Sequence, residues 1–386
     1  LIQDQSTEYG MGLMFLKFVG LYPVNIVRYF TCICCIILII IPQVAEIYKN
    51  WENLNIVLET SSVLLTILLA VSKSFLWILN GKNLEVFINF MVIDYWNIVK
   101  SNVFEHLEVY AKNITKGYLF LICNALLFFV SLPIVEVFIS IIQNSTTNFT
   151  VKHFPFVASY PLSFYMFPFY EIIYVSQMLA TGICGLIILA TDTLIATALL
   201  HTCGHFKVLQ ENLKQLDTDI YYVHTNIKFN KMKLQMTRVI KHHQTVLWFC
   251  ENIEKNFHLM LLLQTVASSL IICCVGFQVS TTMEESKIMK YASYLVMALF
   301  QLLLFCFPGD ILIYQSSRVS RAVYSVQWYE LPILIKNEVC MIMLRSQRTS
   351  YVTAGKLYVM HLENFSAILS SAFSYFMMLR SVNVDA

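Results

Sequence analysis

The residues best suited to metal chemistry are four histidines near the middle of the chain. His201 and His205 lie four positions apart with Cys203 between them, and His242 and His243 follow later. Two histidines at this spacing share one face of a helix and can hold zinc. Cys203 lies off that face, however, and no acidic residue accompanies the pair. We therefore interpret the histidines as polar contacts within a helical bundle and predict no metal site.

Charged residues inside long apolar segments are the second candidate for chemistry. Glu59, Glu136 and Asp192 are costly within a membrane unless they are paired or hydrated, and a proton-coupled transporter would use such groups. Glu136 lies near the end of its segment, however, and Lys73 and Asp192 can either neutralise each other or face water. Because the sequence also has no nucleophile elbow, phosphate loop or paired catalytic carboxylates, we predict neither an enzyme nor a cofactor.

A stripe of small polar and apolar residues runs along the last apolar segment. Ser371, Ser374, Met378 and Val382 recur at helical spacing. A water-filled pathway closed by a dewetting gate requires serines at mid-span and apolar groups near one end. The alternative is a helix–helix contact, since small residues let membrane helices approach closely. Spacing alone favours the alternative.

Aromatic and methionine side chains crowd one half of several apolar segments. They are Phe128, Phe129, Phe138, Tyr170, Tyr174, Met178, Tyr291, Tyr294 and Met297. An apolar cavity with a few hydroxyls is suited to a small ligand of low polarity. An interfacial aromatic belt has the same composition, so both interpretations stay open at this point.

Composition decides the class of protein that must position these residues. The chain is 58% hydrophobic and 13% charged, with a mean hydropathy of +0.64. Soluble domains carry about twice that charged fraction, so we predict an all-α polytopic membrane protein. The net charge of +2 and the lack of a basic cluster give no indication of nucleic-acid binding. With no linker or internal repeat, residues 1–386 are interpreted as one domain.

Seven apolar segments are long enough to cross a bilayer. They are Arg28–Tyr48, Ile56–Asn80, Gly117–Ile142, Tyr170–Leu200, Leu261–Ser280, Tyr291–Tyr314 and Leu357–Leu379. The connections after the second, fourth and sixth segments are the more basic, which predicts that they and the N-terminus are cytoplasmic. The sequons at Asn144 and Asn148 would then face outside and be open to glycosylation.

Two segments continue as helices beyond the membrane. Apolar residues recur at helical spacing past the fourth segment, through Phe206, Leu209 and Leu213, and Ile240–Met260 is amphipathic before the fifth. We predict that these helices project into a packed cytoplasmic anchor bundle.

The C-terminal third resembles the insect odorant receptor family. The resemblance is carried by five motifs: Cys306–Leu312 (CFPGDIL), Ala322–Tyr329 (AVYSVQWY), Leu344–Arg348 (LRSQR), Ala354–Leu357 (AGKL) and Ser374–Leu379 (SYFMML). His201–Phe206 (HTCGHF) is similar to the family motif at the end of the fourth span, although the family more often has Gln at position 205. Over the rest of the chain the resemblance is one of span layout.

The resemblance implies a function as well as a fold. Members are implied to form tetrameric, odorant-gated, non-selective cation channels in the dendritic plasma membrane of sensory neurons. An odour-tuning subunit would assemble with a shared co-receptor into a heterotetramer, and this chain lacks the co-receptor's long insertion between spans four and five. The permeant species would be cations, and the ligand a small volatile organic molecule.

The resemblance also implies where the sites are. The ligand pocket would lie between the outer halves of spans two, three, four and six. The residues that we assign to it are Ser62, Leu65, Ser131, Val135, Phe138, Tyr174, Met178, Tyr291 and Tyr294. The gate would be Met378 and Val382, with Ser371 and Ser374 lining the pore.

Three rival functions have specific weaknesses. A G-protein-coupled receptor would have the reversed orientation, and the chain has no Asp-Arg-Tyr or Asn-Pro-x-x-Tyr motif. A gustatory-type channel has the same architecture, but that family usually ends its last span with Thr-Tyr, an apolar run and Gln-Phe. In this chain Ser374-Tyr375 continues to Arg380-Ser-Val382 instead. A secondary transporter would need paired broken helices, which the sequence does not show.

Overall fold

The structure, a computed structural model, describes residues 10–93, 95, 102–143, 153–219 and 226–385. Helices make up almost all of these residues. In chain order they are α1 (Gly10–Val19), α2 (Ile26–Lys49), α3 (Leu54–Leu79), α4 (Gly81–Ile93), α5 (Asn102–Gln143), α6 (Phe169–Asp219), α7 (Asn226–Thr281), α8 (Glu285–Ser325), α9 (Ile333–Ser346) and α10 (Leu362–Asp385). Two short 3-10 helices (Leu162–Tyr165 and Trp328–Glu330) and a hairpin of β1 (Thr353–Ala354) and β2 (Tyr358–Val359) complete the described part.

The membrane-spanning helices are α2, α3, α5, α6, α7, α8 and α10. Within the described residues, the first six of these are long and apolar enough to cross a bilayer by length and composition. The seventh, α10, has 24 residues, about 36 Å at 1.5 Å per residue. Its apolar sequence is interrupted by polar residues such as Ser371, Ser374 and Arg380. The predicted seven-span fold is confirmed.

Helices α6, α7 and α8 extend well beyond a bilayer. They have 51, 56 and 41 residues, or roughly 60 to 85 Å, against a hydrocarbon core of about 30 Å. Phe206, Leu209 and Leu213 are buried in the projecting part of α6, and Phe249 and Phe257 are buried in that of α7. The apolar periodicity past span four was therefore a correct indication of a packed bundle outside the membrane.

The predicted start of the last span, Leu357, is wrong. Residues 353–359 form the β1–β2 hairpin, and α10 begins only at Leu362. The chain reverses at Gly355 and Lys356, whose φ angles are +62° and +63°. Counting apolar residues could not detect this turn, because the same apolar residues are compatible with a hairpin and with a spanning helix. A Cβ on Gly355 would also lie 2.6 Å from a methyl carbon of Leu262, so this glycine is required by conformation and by space.

The hairpin fixes the start of α10 against two longer helices. Glu254 of α7 accepts hydrogen bonds from the backbone N–H and the hydroxyl of Thr353, and the Gly355 N–H donates to the His258 carbonyl at 2.8 Å. On the other side, a Cβ on Gly309 of α8 would lie 2.1 Å from the Met360 carbonyl oxygen. Gly309 lets α8 and this segment touch through their backbones.

A buried ion pair joins several spans at the centre of the bundle. Lys73 of α3 donates to Asp192 of α6 and, at 2.5 Å, to the Gln264 side-chain oxygen of α7. Tyr118 of α5 and Gln301 of α8 donate to the second Asp192 oxygen at 3.1 and 2.8 Å. All five residues are buried. Of the two expectations for Lys73 and Asp192, mutual pairing or contact with water, the structure shows the pairing. Asp192 of α6 directly contacts side chains of α3, α5 and α8, and Gln264 of α7 joins them through Lys73 and Gln301.

The close crossing at Gly309 predicts a large effect of one methyl group. Gly309→Ala should lower the apparent melting temperature in detergent and the yield of monodisperse protein, because the backbone of Met360 must move away. The matched control is Gly276→Ala, where a Cβ meets no atom within 4 Å; alanine there should be neutral or stabilising by about 0.5–1 kcal/mol. Equal melting of wild type and Gly309→Ala would refute the crossing.

The buried ion pair predicts a non-additive pair of substitutions. Asp192→Asn leaves the Lys73 cation unpaired and should destabilise the fold by about 3–5 kcal/mol. In Lys73→Met with Asp192→Asn the cation is gone and the Asn carbonyl still accepts from Tyr118 and Gln301, so the double variant should melt higher than Asp192→Asn alone. Melting followed by size-exclusion chromatography measures this.

That prediction has a control variant and an outcome that would contradict it. Lys287→Met breaks the exposed pair with Glu284, whose charged atoms are 2.9 Å apart, and should change the melting temperature little. If the Lys73/Asp192 double variant instead melts at the sum of its two single effects, the two groups are not coupled.

Candidate functional site

A cavity lies between spans of the bundle. It lies between α3, α5, α6 and α8, with Phe156 of the loop before α6 on its outer side, and its volume is about 80 Å³. These are the four spans that the resemblance implied for the pocket. The lining residues are Val63, Thr66, Ile67, Tyr118, Ile122, Ala125, Leu126, Phe129, Phe156, Thr181, Cys184, Gly185, Ile188, Tyr294, Met297 and Gln301.

Aromatic side chains close the cavity toward the loop. Phe129 stacks on Phe156 with ring centroids 5.1 Å apart and meets Tyr294 edge-on at 5.7 Å. Gln177 of α6 holds the loop in place: its side-chain oxygen accepts from the Phe156 N–H at 3.2 Å, and its amide nitrogen donates to the Tyr160 hydroxyl at 3.2 Å. The closure is therefore built from ring contacts and one buried amide.

Four polar residues of the lining form two sets, an upper set next to Ser62 and a lower set next to Asp192. In the upper set, Tyr294 donates to the Ser62 carbonyl at 2.9 Å and its hydroxyl is 2.5 Å from that of Thr66. In the lower set, Tyr118 and Gln301 belong both to the cavity lining and to the hydrogen bonds of Asp192. The cavity thus lies directly on the buried ion pair.

Tyr294 is the predicted pocket residue that lines the cavity. Three others are buried but do not line it: Ser62 offers its carbonyl to Tyr294, Tyr174 donates to the Val130 carbonyl at 2.5 Å, and Tyr291 is 4% exposed. Next to Tyr291, Lys290 pairs with Glu59 at 2.8 Å. The Lys290 ammonium also lies 5.0 Å from the centre of the Tyr291 ring.

The remaining predicted pocket residues do not line this cavity. Leu65 and Ser131 are partly buried, whereas Val135 and Phe138 are 48% and 65% exposed. Met178 lines a different depression, a groove of about 810 Å³ that opens outward between α2, α5 and α6. Three residues that line that groove, Ile122, Leu126 and Gly185, also line the cavity.

Sequence reasoning missed most of the lining because it placed the pocket too close to the outer end. Thr66 lies one turn beyond Ser62, and Gln301 lies two turns beyond Tyr294. A signal was available, since Tyr118, Thr181 and Gln301 are polar residues inside apolar spans and such residues face the interior of a bundle.

The predicted pore residues lie on the unpacked side of α10. Ser371, Ser374 and Met378 are exposed. The opposite side packs through Phe376 and Leu379 onto a small buried cluster, Leu58, Cys274 and Phe277. Three predicted positions lie outside the described residues: the side chain of Val382 and the sequon residues Asn144 and Asn148.

The histidines form packing contacts in the projecting bundle. Nδ1 of His205 is 2.9 Å from Nε2 of His242, and the His205 ring is 4.0 Å from that of Tyr95. Burial raises the pKa of Tyr95 well above its ordinary value. Across the part of the chain that the structure describes, no three His, Cys, Asp or Glu residues are grouped so as to hold a metal ion.

Comparison with known proteins gives relatives of one kind. The chain is 30% identical to odorant receptor 13a of Drosophila melanogaster over 273 residues, 66% of this chain and 62% of that protein. It is 24% identical to odorant receptor 22c of the same fly, over 52% of this chain and 51% of that protein. The matched region thus spans between half and two thirds of the length of these relatives.

Solved structures give the same fold. The insect olfactory receptor OR5 of Machilis hrabei in complex with eugenol superposes with a TM-score of 0.82, covers 99% of both chains and is 14% identical. A second structure of that receptor has a TM-score of 0.76, with 92% and 89% covered. At this identity the likeness shows the seven-helix fold.

The sequence model of the family described as 7tm Odorant receptor matches residues 53–373. This match includes five whole spans, the first half of α10, all of the cavity lining and the motifs Cys306–Leu312, Ala322–Tyr329 and Leu344–Arg348. Proteins of this family are receptors and not enzymes. The chain is therefore a multi-pass membrane protein that belongs to the 7tm odorant receptor family.

Proposed function

We propose that this odorant receptor is the tuning subunit of a ligand-gated, non-selective cation channel, and that residues 1–386 form one channel domain. A small volatile apolar molecule would bind in the cavity between α3, α5, α6 and α8. The observation that carries the proposal is the largely apolar lining of that cavity, whose polar residues are Thr66, Tyr118, Thr181, Tyr294 and Gln301. A cavity of this composition suits a ligand of low polarity.

Helix α3 connects the cavity with the last helix in this proposal. Val63, Thr66 and Ile67 line the cavity, and Leu58 on the same helix supports Phe376 and Leu379 of α10. A ligand that favours one position of α3 therefore favours one position of α10. It opens the channel only to the extent that it binds the open arrangement more tightly than the closed one.

The pore is assigned to α10 because its polar side has no partner within the described chain. Ser371 and Ser374 hydrogen-bond back to the carbonyls of Ala367 and Ser370, both at 3.0 Å, and Met378 is 65% exposed. In a tetramer, four such helices would enclose a serine-lined path closed by Met378 and Val382. The bilayer, permeant cations and the odorant are the other proposed partners.

A shared co-receptor would supply the remaining subunits. Only residues 220–225 separate α6 from α7, so the chain lacks the long insertion that the family resemblance gives to the co-receptor. We place the heterotetramer in the plasma membrane of sensory-neuron dendrites, with Asn144 and Asn148 as outer glycosylation sites.

Whole-cell recording tests the proposed function. The chain is expressed alone and with an odorant co-receptor, and a panel of volatiles is applied. We expect fast cation current only with the co-receptor, unchanged by inhibitors of G-protein signalling. A response that requires G-protein coupling would overturn the mechanism, and volatile-evoked current from the chain alone would overturn the assignment as a tuning subunit.

The assignment of Met378 and Val382 as the gate predicts a resting ion current in variants with a polar residue at either position. Met378→Ser or Val382→Ser should increase the current without odorant, because a polar hydroxyl favours wetting of the constriction. Met377→Ser is the matched control, since it adds the same hydroxyl about 100° around the helix and should leave the resting current at the wild-type level. If both gate variants reach the surface and their resting current is unchanged, the gate lies elsewhere.

A further inference from the structure

The polar groups of the cavity have one property in common. They are Thr66, Tyr118, Thr181, Tyr294 and Gln301, and the hydrogens that each can donate are already engaged by the protein. A ligand in the cavity must therefore find its hydrogen-bond partners among lone pairs. This inference rests on the proposed function, because it concerns the ligand of the same cavity.

Thr66 and Tyr294 share two hydroxyl hydrogens among three contacts. Thr66 is 3.2 Å from the Ser62 carbonyl and Tyr294 is 2.9 Å from it. The two hydroxyl oxygens are also 2.5 Å apart, with either as donor. Whichever arrangement holds, both hydrogens point at protein oxygens, whereas each hydroxyl oxygen keeps lone-pair capacity.

The α6 side of the cavity is engaged in the same way. Thr181 donates to the carbonyl of Gln177 at 2.8 Å. The Phe156 N–H, the backbone donor of the closing loop, is directed to the Gln177 side chain at 3.2 Å. The thiol of Cys184 is a weak donor. Thr181 therefore presents an acceptor to the cavity, and no strong donor accompanies it on this side among the described lining residues.

On the floor of the cavity, the donor hydrogens of Tyr118 and Gln301 are bound by residues of the buried ion-pair network. A carboxylate paired with Lys73 only accepts, so the hydrogen of Tyr118 is directed to Asp192. The two hydrogens on the Gln301 amide nitrogen go to Asp192 at 2.8 Å and to the Gln264 oxygen at 3.1 Å. Because their hydrogens are already engaged, Tyr118 and Gln301 can only accept hydrogen bonds from a ligand in the cavity.

This arrangement gives different outcomes for two classes of ligand. A ligand O–H can donate to a hydroxyl oxygen of the lining. A ligand carbonyl finds only other acceptors and the weak thiol, and an unpaired buried acceptor carries the full cost of its lost hydration. We propose that the cavity selects small apolar volatiles that carry a hydroxyl group, alcohols or phenols, over ketones with the same carbon skeleton.

Matched odorant pairs test the proposal on the receptor expressed with its co-receptor. The pairs are 2-heptanol with 2-heptanone and 1-phenylethanol with acetophenone, which differ little in volume. We expect a half-maximal concentration about tenfold lower for the alcohol of each responding pair, the size of effect expected for one unpaired buried polar group. Equal potency, or higher potency of the ketones, would overturn the proposal.

A variant that adds a donor provides the second arm. Met297 lines the cavity and is partly buried, and Met297→Gln adds an amide N–H of similar reach. We expect this variant to gain sensitivity to the ketones and so to reduce the alcohol preference severalfold. Met297→Leu, of similar volume and without a donor, should keep the wild-type ratio. A ratio that changes equally in both variants would contradict the hydrogen-bond argument.

Thermal melting of the purified receptor separates this proposal from the proposed function. A ligand that binds the folded state raises the apparent melting temperature whether or not a channel opens. Stabilisation by the alcohols and not by the ketones, without any current, would support the ligand class and reject the channel. Current with both members of each pair, and equal stabilisation by them, would support the channel and reject the ligand class.

Discussion

The fold depends on burying one cation and one anion where neither can reach water. Lys73 and Asp192 are 1% and 0% exposed, and each would be very costly alone in this environment. Their attraction, together with the amide and hydroxyl groups around them, fixes how α3, α5, α6, α7 and α8 approach one another. Apolar packing between membrane helices has little directional preference. The ion pair therefore determines how these helices are oriented against one another.

The same ion pair shapes the cavity above it. Because Asp192 accepts from Tyr118 and Gln301, the floor is polar in composition and yet has its donors turned away from the cavity. The walls are aromatic and aliphatic, and the roof is the Phe129–Phe156 stack held by Gln177. Stability and the proposed ligand preference therefore depend on the same hydrogen bonds, so we expect substitutions in the floor to affect both.

The last helix is held at its start and leaves one side unpacked. Glu254 and His258 fix the hairpin that precedes it, and Gly309 permits the backbone contact with α8. Beyond that anchor, only one side of α10 packs, on Leu58 and Phe277 among others. An element anchored at one end and loosely packed along its length can change position at low cost, which suits the gate proposed for it.

The sequence by itself determined the class, the spans and the projecting bundle, because hydrophobic length and apolar periodicity are local properties that a helix carries wherever it packs. It also indicated the pairing of Lys73 with Asp192 as one of two ways to tolerate such charges within a membrane, the other being contact with water. It could not determine the depth of the cavity or which side of each span faces it. That depends on how α3, α5, α6 and α8 rotate against one another, and the ion pair and close contacts such as Gly309 with Met360 decide this only in the folded bundle. For the same reason Val135 and Phe138 could be chosen by depth and face and still lie on the outer surface.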